Sequence, residues 1–379
     1  MRRSTVNRDN GQTATFHTVT ARQGTGSRGD RDVEVRYTET KLVGSGNFGA
    51  VYKATLCEND ETVAIKKVVV DFRIKDRELE IMRQMDHPNL TRLLYFFQKV
   101  DQTNSKTYLY LMMEFMPKNL SEVIRGYAHH SLLLPSFQVK LYTFQMLRGV
   151  GFLHMHNIMH RDIKPHNLLV DEERGILKVC DFGSAKQCTA GQPNISYICS
   201  RPYRAPEVLF GSTTYDTAMD IWSCGVVMAE MCNDRSVFQA ESNIDTIVVI
   251  IKALGTPTKE DMEALNNKYI NIPINNYPGV GIQKMIKRKM TTSGLELLNN
   301  LLKIDPKNRI RPYAALASPF FDDLRAKSYQ GQYHGKEPQL FDWLEKEYSN
   351  NMELIRQVFP KSDDEESSSS SEQNGGKSG

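Results

Sequence analysis

The stretch His160-Arg-Asp-Ile-Lys-Pro-His-Asn167, followed fourteen residues later by Asp181-Phe-Gly183, decides how this chain is read. Asp162 is a carboxylate that can accept the proton of a hydroxyl group. Lys164, two residues on, can neutralise charge on a moving phosphoryl group. Asn167 returns an amide oxygen to the same loop, and Asp181 adds a carboxylate at a strand end. Oxygen donors of this kind suit a hard divalent cation such as Mg2+. Asp-Phe-Gly alone would be a routine turn.

Upstream lies Gly44-Ser-Gly-Asn-Phe-Gly49. Its G-x-G-x-x-G spelling also fits a dinucleotide-binding loop, but such a loop opens a helix. Here Ala50-Val51-Tyr52-Lys53 continues as a strand. The expectation is a hairpin flap in which Gly44, Ser45, Gly46, Asn47, Phe48 and Gly49 let the backbone approach phosphate oxygens. Lys66, in Val63-Ala-Ile-Lys66, follows on the next strand. A buried lysine needs a carboxylate to stay charged and aimed. Glu78 is chosen over Glu80 because Leu79 and Met82 lie on the core-facing phase of a helix expected over 76–85. Ala205-Pro-Glu207 closes the set, twenty-six residues after Asp181.

Six elements in this order and spacing resemble the eukaryotic protein kinases, from about residue 35 to 321. The expected fold is α+β and bilobed, with a β-rich small N-lobe and a mostly helical large C-lobe. Asp181-Phe-Gly-Ser-Ala-Lys186, Ser196-Tyr-Ile-Cys-Ser-Arg201, Leu254-Gly-Thr-Pro-Thr258 and Asn308-Arg-Ile-Arg-Pro are similar to the glycogen synthase kinase 3 family of the CMGC group. The resemblance implies a serine/threonine kinase using ATP and Mg2+. Asp162, Lys164, Lys66 and Glu78 would be catalytic, and Asn167 and Asp181 would hold the metal. Val51, Ala64, Met113, Glu114, Met116 and Leu169 would join the glycine loop and Lys66 around ATP. A pseudokinase scaffold is opposed by the intact Lys66, Glu78, Asp162, Asn167 and Asp181. A cyclin-dependent or mitogen-activated type usually reads Asp-Phe-Gly-Leu-Ala-Arg. The chain departs from the family at Pro202, His166 and Met113.

Related kinases pair a phosphothreonine of the activation segment with the arginine of His-Arg-Asp. Gln192-Pro-Asn-Ile-Ser-Tyr197 offers no threonine there. Arg77, Arg161 and Lys186 can still converge as a phosphate site. A substrate already phosphorylated four residues C-terminal to its target would supply the phosphate. The resemblance also implies phosphorylation of Tyr197, with Arg201 and Arg204 nearby to pair it. It further implies a scaffold-peptide groove at 258–281, where Ala264, Leu265, Tyr269 and Ile270 could line it.

The surroundings agree with an ordinary globular chain. Of its 379 residues 40% are hydrophobic and 25% charged, and the net charge of +3 suggests no dedicated nucleic-acid binder. No apolar run reaches the length of a membrane span. The six cysteines form no CxxC pair or zinc spacing, and no apolar leader follows Met1, so a cytoplasmic location, with nuclear entry, is expected. The expected organisation is a disordered basic tail at 1–32, the N-lobe at 33–117 and the C-lobe at 118–326. A C-terminal extension with helices follows at 327–360, then a disordered acidic, serine-rich tail at 361–379.

Overall fold

The computed structural model describes residues 2–7, 13–25, 31–38, 41–46, 49–71, 77–189, 191–265, 275–326 and 338–358. Its first part is a strand-rich lobe: β1 (Arg2–Asn7), β2 (Thr13–Gln23), β3 (Asp32–Thr38), β4 (Lys41–Gly46), β5 (Gly49–Thr55) and β6 (Thr62–Val69), then helix α1 (Arg77–Gln84), β7 (Leu93–Asp101) and β8 (Lys106–Glu114). The sheet runs β1-β2-β7-β8-β6-β5-β4, with β3 also paired to β2. Every pairing is antiparallel.

The sheet closes on itself through β3. Tyr37 bridges to Leu56, the Cys57 amide donates to Arg36 O at 2.9 Å, and the Thr55 amide donates to Thr38 Oγ1 at 3.2 Å. Inside the closed sheet lie Val19, Ala21, Val35, Tyr37, Leu56 and Phe97. Closure covers the end of β5 beyond Lys53, which β4 no longer pairs.

In its described residues, 2–7, 13–25 and 31–32, the stretch expected as a disordered tail over 1–32 is largely sheet. Within that stretch β1 pairs with β2, and β2 pairs with both β3 and β7. Val19 and Ala21 are buried while Thr20 and Arg22 are exposed. Apolar residues scattered singly form no helical stripe, but at alternate positions they make one buried face of a strand.

The second part opens with β9 (Lys118–Asn119) and helices α2 (Leu120–His129) and α3 (Ser136–Met155). Short strands β10 (Ile158–Met159), β11 (Leu168–Asp171), β12 (Ile176–Val179) and β13 (Lys186–Gln187) follow. Then come α4 (Pro206–Leu209), α5 (Ala218–Met231), α6 (Asn243–Leu254), α7 (Lys259–Ala264), α8 (Thr292–Leu301), α9 (Pro312–Leu316), α10 (Asp322–Arg325) and α11 (Glu345–Val358). Asn119 caps α2 in a reciprocal pair with Glu122. Thr258 and Asp261 do the same for α7. Fourteen residues of α3 are buried around its whole circumference, so it forms the axis of this lobe. One continuous apolar core joins α3, α5, α8 and α9 and reaches into the first lobe through Ile81, Met82 and Leu111. The C-terminal extension supplies helix α11; the tail from 359 to 379 lies outside the described residues. Among the described residues no helix is long and apolar enough to cross a membrane.

Candidate active site

The two lobes meet at Lys66. Strand pairing sets Lys66 opposite Val51 on one side and Leu111 on the other. Its ammonium donates to Glu78 Oε1 at 2.7 Å and Oε2 at 2.9 Å, and to Asp181 Oδ1 at 2.7 Å. Burial alone would push the ammonium down; Glu78 and Asp181 outweigh it and hold Lys66 above the ordinary lysine range. Burial likewise opposes the charge on Asp181, yet Lys66 keeps that carboxyl below its usual range. Lys66 and Asp181 are therefore charged at neutral pH. Glu78 sits on α1, which packs on the turn Phe182–Ser184, so helix and turn deliver the two carboxylates to one lysine.

A second knot surrounds Asp162. Its Oδ2 accepts from Lys164 Nζ at 2.6 Å and from Asn167 Nδ2 at 3.1 Å. Its Oδ1 accepts the amide of Ser200 at 3.0 Å and the Ser200 hydroxyl at 2.9 Å. Lys164 also donates to Ser200 Oγ at 3.0 Å. The loop itself is held from below by Asp220, fully buried at the start of α5, which accepts the amides of His160 and Arg161 at 2.8 Å each and faces His154 Nε2 at 3.0 Å. Arg161 and Asp181 both take left-handed backbone angles, φ 66° and 61°. Non-glycine residues hold such angles only where their surroundings over-determine them. Glu207 and Arg309 make a buried two-point pair at 2.7 and 2.6 Å that ties the segment's end to the large lobe.

The glycine stretch forms the β4–β5 hairpin, with Gly44 opposite Val51, Ser45 opposite Ala50 and Gly46 opposite Gly49. Asn47 and Phe48 lie outside the described residues. Gly49 has φ 128°, and a Cβ there would stand 2.2 Å from Lys67 O. That glycine is required by the approach of β6. Ala64 lies opposite Met113. Ala64 is half-buried between buried Val63 and Ile65, and Leu169 between buried Leu168 and Val170. Val51, Met113 and Met116 are half-buried as well. Apolar side chains left open on otherwise closed strands leave room for a flat apolar ligand. The Glu114 side chain is engaged elsewhere, accepting the Arg92 amide at 2.7 Å and pairing with Lys178 at 2.9 Å. The Glu114 amide also donates to Arg92 O at 3.2 Å.

The donor set fits a hard cation bound together with phosphates. The Asn167 amide nitrogen is engaged with Asp162 O and Oδ2, which leaves its oxygen to join the Asp181 carboxylate. Among the described residues no three His, Cys, Asp or Glu side chains could hold a metal unaided, so phosphate oxygens and water would complete the shell, as Mg2+ favours.

Lys186 donates to Asn194 Oδ1 at 2.7 Å and Pro193 O at 3.2 Å. Its ammonium is pushed down by burial and then by the positive charges of Arg161 and Arg77. Arg161 Nε donates to Ser184 O at 2.7 Å, and Arg77 is exposed at the first residue of α1. Tyr197 is 69% exposed and lies under the Arg204 guanidinium, 4.5 Å from the ring centroid. Hydrogen bonds from Arg204 and then Arg201 lower its hydroxyl.

The groove expected at 258–281 is only partly described. Tyr269 and Ile270 fall outside the described residues. Leu265 is fully buried with Phe210 and Met262, which corrects its placement on a groove surface. The exposed apolar side chains nearby are Ile244 and Val248, one turn apart on α6, and Val280. Ser200 and Asp220 were not anticipated from sequence. Asp220 carried a signal, being an acid within the apolar run of α5; Ser200 carried none.

Comparison with known proteins adds two findings. Residues 37–321 match the protein kinase domain family. The chain is 42% identical over 334 residues, 86% of each chain, to "Protein kinase gsk3" of Schizosaccharomyces pombe.

Proposed function

The chain belongs to the protein kinases, in the glycogen synthase kinase 3 family, and transfers phosphate to protein serine and threonine; from this premise we propose how its residues do so and which substrates it prefers. ATP and Mg2+ are the family's general requirement. Asn167 and Asp181 would hold the metal, which would supply neutralising charge on the phosphates. Lys66, charged and aimed by Glu78, fixes the α- and β-phosphates beneath the glycine hairpin. Val51, Ala64, Met113 and Leu169 contact the adenine, with the backbone of Glu114 and Met116 at its edge. A substrate hydroxyl must displace one donor from Asp162, because both oxygens already hold two. Lys164 is the donor free to swing, since it can follow the charge onto the phosphoryl group as Asp162 takes the hydroxyl proton. The observation that carries this reading is the Lys66 ammonium set between Glu78 and Asp181 at 2.7 Å from each.

The preferred substrate carries a phosphate four residues C-terminal to its target. Lys186 is supported in this role by feeling the charges of Arg161 and Arg77, the arrangement that receives a dianion. A phosphate on Tyr197, paired with Arg201 and Arg204, orders the segment that carries Ser200. A scaffold peptide with an apolar face docks on α6 and residues 258–281. A Ser-x-x-x-Ser peptide, with and without phosphate on its second serine, tests the substrate preference. Arg77→Ala should raise KM for the phosphorylated form about tenfold or more and leave the other form unchanged. Equal treatment of both peptides by the parent enzyme would end the proposal.

A further inference from the structure

Arg148 is a guanidinium at the centre of the large lobe, 1% exposed on α3. A cation there must be paired, and its partners come from the C-terminal extension. Nε and Nη2 donate to the two oxygens of Glu347 at 3.1 and 2.9 Å. Nη1 donates to Asp342 Oδ1 at 3.1 Å and Nη2 to Asp342 O at 2.8 Å. The group lies 4.6 Å from the centre of the Trp343 ring. One arginine thus plugs residues 339–347 into the lobe.

Glu347 does more than answer this charge. It is fully buried and accepts from Tyr313 Oη at 3.0 Å and the Leu344 amide at 3.0 Å. Its Oε1 also stands 3.3 Å from His87 Nε2. His87 Nδ1 accepts the Asn89 amide at 3.0 Å, so the ring proton is assigned to Nε2, facing Glu347. Burial lowers the imidazole and keeps it neutral, and it stacks on Phe152 of α3 at 4.7 Å.

His87 lies in the loop that leaves α1. The Met85 amide still bonds Ile81 O, so the helical turn runs directly into that loop. Asn89 is fixed in turn by Gln145 Oε1 and Leu177 O at 3.1 and 3.0 Å. A side chain at Gly149 of α3 would stand 2.7 Å from Asn89 O, so the loop is pressed against that helix. The described part of α1 is eight residues long, too short to persist as a helix by itself, and Ile81 and Met82 anchor its middle in the core. Its first turn is held by Lys66 and its far end by this loop.

We propose that Glu347 is a positioning residue for phosphoryl transfer: through His87 it fixes the far end of α1 and so keeps Glu78 on Lys66. The proposal rests on the roles given above to Lys66 and Glu78. Docking of the C-terminal extension then becomes a condition for the engaged ion pair, across 260 residues of sequence between His87 and Glu347.

The test uses the full chain with Glu347→Gln and, separately, His87→Phe. The second variant keeps the stack on Phe152 and the Arg148 grip on the extension but loses the acceptor of the Asn89 amide as well as the Glu347 contact, whereas Glu347→Gln keeps that acceptor. Turnover, KM for ATP and peptide, and hydrogen exchange of residues 77–90 are measured well below each melting midpoint. In both variants kcat should fall about tenfold, the size of one hydrogen bond to a charged group, and 77–90 should exchange faster. KM for the peptide should not change. Parent-like kcat in His87→Phe, or faster exchange confined to 339–358, would overturn the proposal, because the extension would then be structural only. If Glu347→Gln does not fold, parent-like kcat in His87→Phe still overturns the proposal. Lys66→Met in the same assay tests the site assignment separately: full activity there would remove that assignment while leaving the exchange result intact.

Discussion

Ser200 gives both its amide and its hydroxyl to one carboxylate oxygen of Asp162, at 3.0 and 2.9 Å, while the other oxygen is held by Lys164 and Asn167. The carboxylate cannot rotate without breaking two bonds. Ser200 therefore joins the segment that carries Tyr197 to the loop of Asp162.

Replacing Ser200 by alanine removes one donor to Asp162 and one acceptor of Lys164. Turnover should fall about tenfold, with KM for ATP unchanged, and Ser200→Thr should restore most of it. Steady-state kinetics on one peptide decide this. Unchanged kcat in the alanine variant would mean that the amide alone orients Asp162.

Asp220 sets the loop from beneath. In Asp220→Asn an NH2 group faces a backbone amide that needs an acceptor. The cost should be about 3 kcal/mol, read as a lower urea midpoint, with loss of activity among the molecules that remain folded. A variant as stable as the parent would show that His160 and Arg161 find other acceptors.

Glu230 lies behind the same segment, accepting from Tyr203 Oη at 2.7 Å. Burial pushes its carboxyl from 4.5 up to about 7. An acid raised on folding contributes stability below its unfolded value and loses it as pH rises through the folded one. Parent and Glu230→Gln should thus melt alike near pH 5. At pH 8 the variant should be more stable, by on the order of 3 kcal/mol. A difference that stays constant over this range would contradict the assignment.

Strand β2 closes the small lobe around Tyr37 and Phe97. Deleting residues 2–25 should lower the melting midpoint by several degrees, since burial of Val19 and Ala21 alone stabilises by about 3 kcal/mol. An unchanged midpoint would show that β3 seals the sheet without it.

What sequence could show depended on distance along the chain. Lys66 and Glu78 are twelve residues apart, and helical phase alone favours Glu78 over Glu80. Asp162, Lys164 and Asn167 share one loop. These are local facts. Strand β2 escapes because its alternation is short, Val19 and Ala21 between Thr20 and Arg22, and its other residues include Thr, His and Gln, which resemble a tail in composition. Ser200 meets Asp162 across 38 residues and Glu347 meets Arg148 across 199. Nothing at either end announces such a partner. Glu114 was assigned to the ATP site by its place in the chain, whereas its carboxylate is committed to Arg92 and Lys178.

The most direct measurement is transfer of labelled γ-phosphate from Mg-ATP to a Ser-x-x-x-Ser peptide carrying phosphate on its second serine, by the parent and by Asp181→Asn. The parent should label the first serine. The variant, folded but without the carboxylate that pairs with Lys66 and is proposed to hold the metal, should be slower by about 10²–10³. Near-parent transfer by Asp181→Asn would contradict the account at its centre.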